Sequence, residues 1–196
     1  MPPLAPVTQV LLLINVAAYC IDYFVGPWFR LVFALWPIGH GFLPWQPVSY
    51  AFLHGSVFHL FFNMMGLWMF GSEIERVWGP KRYLQFYMVS LLTAAFAQLL
   101  VALLTGAVYP TVGASGALFG LLLAFGMLFP NRQIMLLIPP IPMKAKVFVA
   151  IYGALELFLG VTGTQEGVAH FAHLGGMLGG FLMIQYWRGR PPFGRR

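Results

Sequence analysis

Six apolar segments, at about 7–25, 57–71, 83–104, 114–129, 147–162 and 169–187, take up most of the 196 residues. A bilayer crossing requires roughly 17–25 apolar residues in helical form, and a water-soluble fold has no use for so many such runs. Only 8% of the residues are charged and 60% are hydrophobic, against about 25% charged in a soluble domain. The expected fold is therefore an all-α polytopic membrane protein: a six-helix transmembrane bundle with a long outer loop between its first two helices. A bundle of this length leaves nothing over for a second domain, so residues 1–196 are expected to form one. The opening "MPPLAPVTQV" has no basic stretch, so the first segment is expected to be a retained span rather than a cleaved signal. Cys20 is the single cysteine, so no intrachain disulfide can form.

The net charge of +6 resembles a nucleic-acid signal until its placement is considered. Arg76, Lys81 and Arg82 fall between the second and third segments, and Arg132, Lys144 and Lys146 between the fourth and fifth. Arg188, Arg190, Arg195 and Arg196 form the tail 188–196, expected to be disordered, and only Arg30 lies on the other side. Ten of eleven basic residues thus share one face, the positive-inside pattern of a protein with both termini in the cytoplasm. The basic residues are topology signals, and no nucleic-acid partner is expected. The connection at about 26–56 is the longest on the opposite face. Its Trp28, Trp36 and Trp45 suit the membrane interface.

The second, fourth and sixth segments all enter from that outer face, and each carries a polar group near its start: His59 and Asn63, Ser115, and His170 with His173. His59 and Asn63, at i and i+4, share one helix face. Polar side chains in a span turn toward the bundle interior or a wet cavity, because lipid offers them no partner. Gly116 with Gly120, and Gly176 with Gly180, form small-xxx-small pairs that let helices approach closely. Contact along these glycines would bring Ser115 near His173. A hydroxyl beside an imidazole is a nucleophile with its general base. The Ser115 N–H, the Asn63 amide and the His59 ring N–H are candidate donors to an oxyanion. No acid completes a triad, since the one aspartate is Asp22, in or beside the first segment. The second and fourth segments, at 15 and 16 residues, reach only ~22–24 Å. Together with the uncharged connection "TGAVYPTVGAS", this implies a sunken pocket open to outer water.

At these residues the chain resembles the rhomboid family of intramembrane serine proteases. Gly113-Ala114-Ser115-Gly116 matches Gly-x-Ser-Gly, His59 to Asn63 matches His-x-x-x-Asn, and Ala172-His173 with Gly176 and Gly180 matches Ala-His-x-x-Gly-x-x-x-Gly, all in the family's order. The stretch "GSEIERVWGPKRYL", with Glu75 and Gly79, also fits. The resemblance covers nearly the whole chain and implies a six-span core. It makes Ser115 the nucleophile, His173 the base, and His59, Asn63 and the Ser115 N–H the oxyanion hole. His54 matches a structural histidine beneath the outer loop. Phe119 stands where some members stack a tyrosine on the base, and Trp45-Gln46 where some have Trp-Arg. The implied partners are single-pass transmembrane substrates and the lipid bilayer, the implied location a prokaryotic plasma membrane, and no cofactor is expected.

Other readings weigh less. A lone serine in an apolar helix is usually structural; it is the three motifs together that favour a nucleophile. His170 and His173 could ligate a metal, but no His-Glu-x-x-His occurs and only His59 and Glu156 could complete a set. His170 reads as a pocket-lining or packing residue, and Glu156 as a buried hydrogen-bonding one. Asn15 and Gln98 read as interhelical hydrogen bonders. A non-catalytic relative that binds membrane helices would be expected to lack the serine or the histidine. A transporter is disfavoured by the lack of a visible inverted repeat.

Overall fold

The structure, a computed structural model, describes residues 4–135, 140–163 and 169–189; the tail from residue 190 onward lies outside the described residues. The elements are α1 (Pro6–Val25), α2 (Pro27–Phe33), α3 (Gln46–Ser49) followed by a 3-10 turn, α4 (Val57–Gly66), a π turn (Leu67–Gly71), α5 (Ser72–Thr105), α6 (Ser115–Leu128), a small antiparallel hairpin of β1 (Gln133–Met135) and β2 (Pro142–Lys144), α7 (Ala145–Thr162) and α8 (His170–Trp187).

The apolar segments become helices, and the second and third are parted by non-helical backbone at Gly79. Helical structure runs from Val57 to Trp78, stops at Gly79, where ψ is 162°, and resumes at Pro80 to end at Thr105. Gly79 has φ 77°, a backbone region open mainly to glycine, and Pro80 opens the helix that follows, a position where its missing N–H breaks no hydrogen bond. Three helical stretches among the described residues are long and apolar enough to cross a membrane: Pro6–Val25, Val57–Thr105 with its break at Gly79, and Ala145–Thr162. Helix α6 is apolar but, at 14 residues, reaches only ~21 Å.

Burial runs opposite to that of a soluble protein. Thr8, Asn15, Ser90 and Gln98 are buried, while Phe24, Phe58, Leu104 and Val161 are more than 70% exposed. Polar groups inside and large apolar groups outside suit a hydrocarbon solvent. Helices α5, α6 and α8 form the centre, around the buried Phe86, Tyr87, Leu91, Leu121 and Ile184.

Glycine sets the spacing of that centre. A Cβ on Gly176 would collide with the Gly116 carbonyl oxygen, one on Gly116 with Ala94, and one on Gly120 with Ser90. A Cβ on Gly180 would lie 2.8 Å from the Phe86 ring. The α6–α8 contact therefore requires bare backbones, the packing mode that membrane helices use in place of a hydrophobic drive.

Two polar contacts hold the periphery. The Glu75 carboxylate accepts from Val7 N at 2.9 Å, and from Thr8 N and Thr8 Oγ1 at 2.8 Å. A carboxylate at a helix N-terminus satisfies N–H groups that have no intrahelical acceptor. Glu75→Gln should lower stability by about 1.5–3 kcal/mol, the usual worth of a charge-assisted bond, read as an earlier unfolding transition in detergent. An unchanged transition would show that the clamp adds nothing. In the outer loop, buried Gln46 accepts from Trp36 N at 3.1 Å and donates to the carbonyls of Val32 at 3.3 Å and Gly41 at 3.2 Å. A neutral amide with one acceptor and two donors thus organises the loop around position 46, and Trp45 adds a bond to Val32 O at 3.0 Å. The loop is partly helical, through α2 and α3.

Candidate functional site

Ser115 is the first residue of α6, and no side chain caps this helix. Its first-turn N–H groups therefore point out of the helix without an i−4 acceptor. By contrast α4 is capped: Ser56 Oγ accepts from His59 N at 3.1 Å. The chain enters α6 through two ties. Thr111 and Leu35 exchange backbone bonds of 2.9 and 3.0 Å, and Gly113 N donates to Tyr50 O at 2.9 Å. The Gly116–Gly176 approach then brings α8 alongside. Ser115 Oγ lies 2.8 Å from His173 Nε2, and His173 stacks on Phe119 with centroids 4.3 Å and planes 8° apart. Both groups face a cleft of about 370 Å³, lined also by Gly55, His59, Asn63 and Tyr109.

Gly113 has φ 123°, and a Cβ there would lie 2.8 Å from His59 Nε2 and 3.7 Å from Ser115 Oγ. The missing side chain is the space shared by the serine and the His59 ring. His59 Nδ1 accepts from Gly55 N at 3.3 Å, which places the ring proton on Nε2, toward that space. Asn63 Nδ2 uses one hydrogen on His59 O at 2.8 Å and keeps a second one for another acceptor. His54 is fully buried, with its ring edge-on to His59 at 5.0 Å. Burial, helped by the neighbouring His59, holds its pKa down to about 4, so it packs as a neutral ring.

The structure corrects one expectation. An acid does stand beside the imidazole, and it is Glu156 rather than Asp22. Glu156 Oε2 lies 2.9 Å from His173 Nδ1 and 2.7 Å from His170 Nδ1. Asp22 instead pairs with Arg30 at 2.8 Å. The helical order could have signalled this: α7 and α8 are consecutive helices in contact, and Glu156 and His173 stand at comparable distances from their connection. Glu156, His170 and His173 could also offer three atoms to a metal. Ligands ~2.0–2.1 Å from a tetrahedral zinc sit roughly 3.4 Å apart, so the 2.7 and 2.9 Å separations are those of hydrogen bonds. Asn15 donates to Leu11 O within its own helix, at 2.7 Å, rather than between helices.

The chain is similar to known proteins of one family. A family model described as "Rhomboid domain" matches residues 42–190, which include every motif residue named above. The chain is 34% identical over 142 residues to Rhomboid protein 1, mitochondrial, of Saccharomyces cerevisiae, covering 71% of this chain and 40% of that protein. It is 30% identical over 187 residues to Rhomboid protease GlpG of Yersinia pestis, covering 93% and 62%. It is 30% identical over 139 residues to Rhomboid protease GluP of Bacillus subtilis, covering 70% and 25%. The chain thus spans between a quarter and just under two thirds of these relatives' lengths. A family model matched over residues 42–190, on a helical chain that sets these motifs around one cleft, shows that this protein belongs to the rhomboid family.

Proposed function

We propose that this chain is an intramembrane serine protease, a single domain that crosses the bilayer six times with both termini in the cytoplasm. The observation that carries the reading is the 2.8 Å contact between Ser115 Oγ and His173 Nε2 in the wall of a cleft. Bacterial and mitochondrial relatives match at similar identity, so the proposed location is an integral membrane one without a named compartment. Two relatives are themselves named proteases.

Ser115 Oγ attacks the scissile carbonyl carbon while its proton passes to His173 Nε2. The developing oxyanion is met by the Ser115 N–H, the second Asn63 amide hydrogen and the His59 Nε2–H, donors that need no rearrangement as charge appears. His173 returns the proton to the leaving amine. It then deprotonates the water that releases the acyl group, which is why the cleft must be wet. A helical peptide bond is shielded by its own hydrogen bonds, so the substrate is a transmembrane segment able to unwind locally, rich in glycine or other small residues, near its outer end.

The test is cleavage of several single-span substrates in liposomes, with product termini mapped by mass spectrometry. No cleavage of any by the wild-type chain would count against the reading. Within the same assay, Asn63→Ala should lower kcat more than it raises KM. Loss of one oxyanion donor amounts to about 2.7–4 kcal/mol in a soluble protease, and the effect here is smaller because two donors remain. Asn63→Asp should be worse, since it removes the donor and adds negative charge beside the oxyanion. Full kcat with a raised KM in both variants would make Asn63 a substrate-positioning residue.

A further inference from the structure

The geometry points to Glu156 as a positioning residue that makes Ser115 and His173 part of a Ser–His–Glu relay, with His170 holding the carboxylate in place. This rests on the protease reading for its catalytic consequence, though not for the geometry itself. One oxygen, Glu156 Oε2, faces two imidazole nitrogens at 2.7 and 2.9 Å. An ionised carboxylate only accepts, so both Nδ1 atoms carry their protons. His173 is then left with a bare Nε2, 2.8 Å from the Ser115 hydroxyl, and it is this tautomer that can take the serine proton.

Each group in the chain has a distinct part. The Phe119 stack fixes the plane of the His173 ring, and Glu156 fixes its rotation in that plane and the position of its proton. When His173 takes the serine proton it becomes a cation, and the carboxylate is already beside it. His170, one turn earlier on α8, donates to the same oxygen and keeps the carboxylate turned toward His173. The His170 Nε2 is buried without a partner among the described residues, so the ring's one hydrogen bond is spent on Glu156. Glu156 side-chain exposure is 12% and that of His173 is 10%, so water competes little for these bonds. A purely structural staple between α7 and α8 would need only one imidazole, and not the one bonded to the serine.

The test uses the full chain in detergent with three variants: Glu156→Gln, which keeps size and loses charge; Glu156→Asp, which keeps charge; and Glu156→Leu, which suits an apolar span and whose unfolding transition is measured alongside its rate, because it leaves two buried imidazoles without their acceptor. Replacing the triad acid by its amide lowers kcat about 10⁴-fold in a soluble serine protease. Because the Phe119 stack remains, about 10²-fold is expected here for Glu156→Gln, with KM nearly unchanged and fluorophosphonate labelling of Ser115 slowed in parallel. Glu156→Leu should lose at least as much, and Glu156→Asp should be at least about tenfold faster than Glu156→Gln. Independently of activity, ¹⁵N-histidine spectra should show the His173 proton on Nδ1 in the wild type and a mixture of tautomers in Glu156→Leu. Wild-type rates in Glu156→Gln and Glu156→Leu, or an Nε2-protonated His173 in the wild type, would overturn the inference. So would inactivation by a chelator reversed by zinc, which would make the cluster a metal site. An inert wild type with the Nδ1 proton in place would instead remove the protease reading and leave the positioning role of Glu156 standing.

Discussion

Ser115→Ala and His173→Ala are each expected to abolish substrate cleavage while leaving the bundle folded. The two side chains act as a unit: without the imidazole the hydroxyl stays protonated, and without the hydroxyl the imidazole has nothing to activate. In a soluble serine protease, removing either costs about 10⁶-fold in kcat. A loss of at least ~10³-fold is expected here, down to the limit of a membrane assay. Ser115→Ala is the cleaner variant. It removes one oxygen at the first position of α6, where alanine is a good helix former. His173→Ala also deprives Glu156 of one partner and Phe119 of its stacked ring, so its unfolding transition should come somewhat earlier. The check is cleavage rate together with the unfolding transition, measured on the same preparations.

Gly176→Ala should also lower activity strongly, although Gly176 touches neither reacting atom. The added Cβ would collide with the Gly116 carbonyl oxygen, and a backbone atom cannot rotate out of the way as a side chain can. Helices α6 and α8 must then separate, and they carry Ser115 and His173 respectively. Overpacking ordinarily costs about 1–3 kcal/mol, and the upper end is expected for a clash with backbone. A displacement of about 1 Å at a reacting pair can cost roughly 10²-fold in rate. Gly66→Ala is the control, because its Cβ would find nothing closer than Leu118 Cδ1 at 3.6 Å, and it should keep stability and activity. Wild-type behaviour of Gly176→Ala would mean that the two helices are not held by their bare backbones.

Helical segments were legible wherever apolar runs were long and charges marked their ends. The expected 114–129 and 147–162 correspond closely to α6 at Ser115–Leu128 and α7 at Ala145–Thr162. The end of the second segment was less legible: the expected 57–71 stops short, because helix runs on through Glu73, Glu75 and Arg76 to Trp78. The torsions at Gly79 end that helix, and the next one begins at Pro80. The placement of Ser115 opposite His173 could be anticipated because glycine spacing carries close approach in the sequence itself. Glu156 was harder. It has no motif, and its partners lie 14 and 17 residues away on the next helix, so only three-dimensional packing reveals that its carboxylate faces the imidazole. Gln46 was equally opaque: its three bonds all go to backbone groups, which leave no trace in residue identity.

The most direct test of the central claim is the site of covalent modification by a serine-directed fluorophosphonate, mapped by mass spectrometry on wild type and Ser115→Ala. The account predicts a single phosphonyl adduct on Ser115 in the wild type and none in the variant. A wild-type chain left unmodified at Ser115, or modified equally in Ser115→Ala, would contradict it.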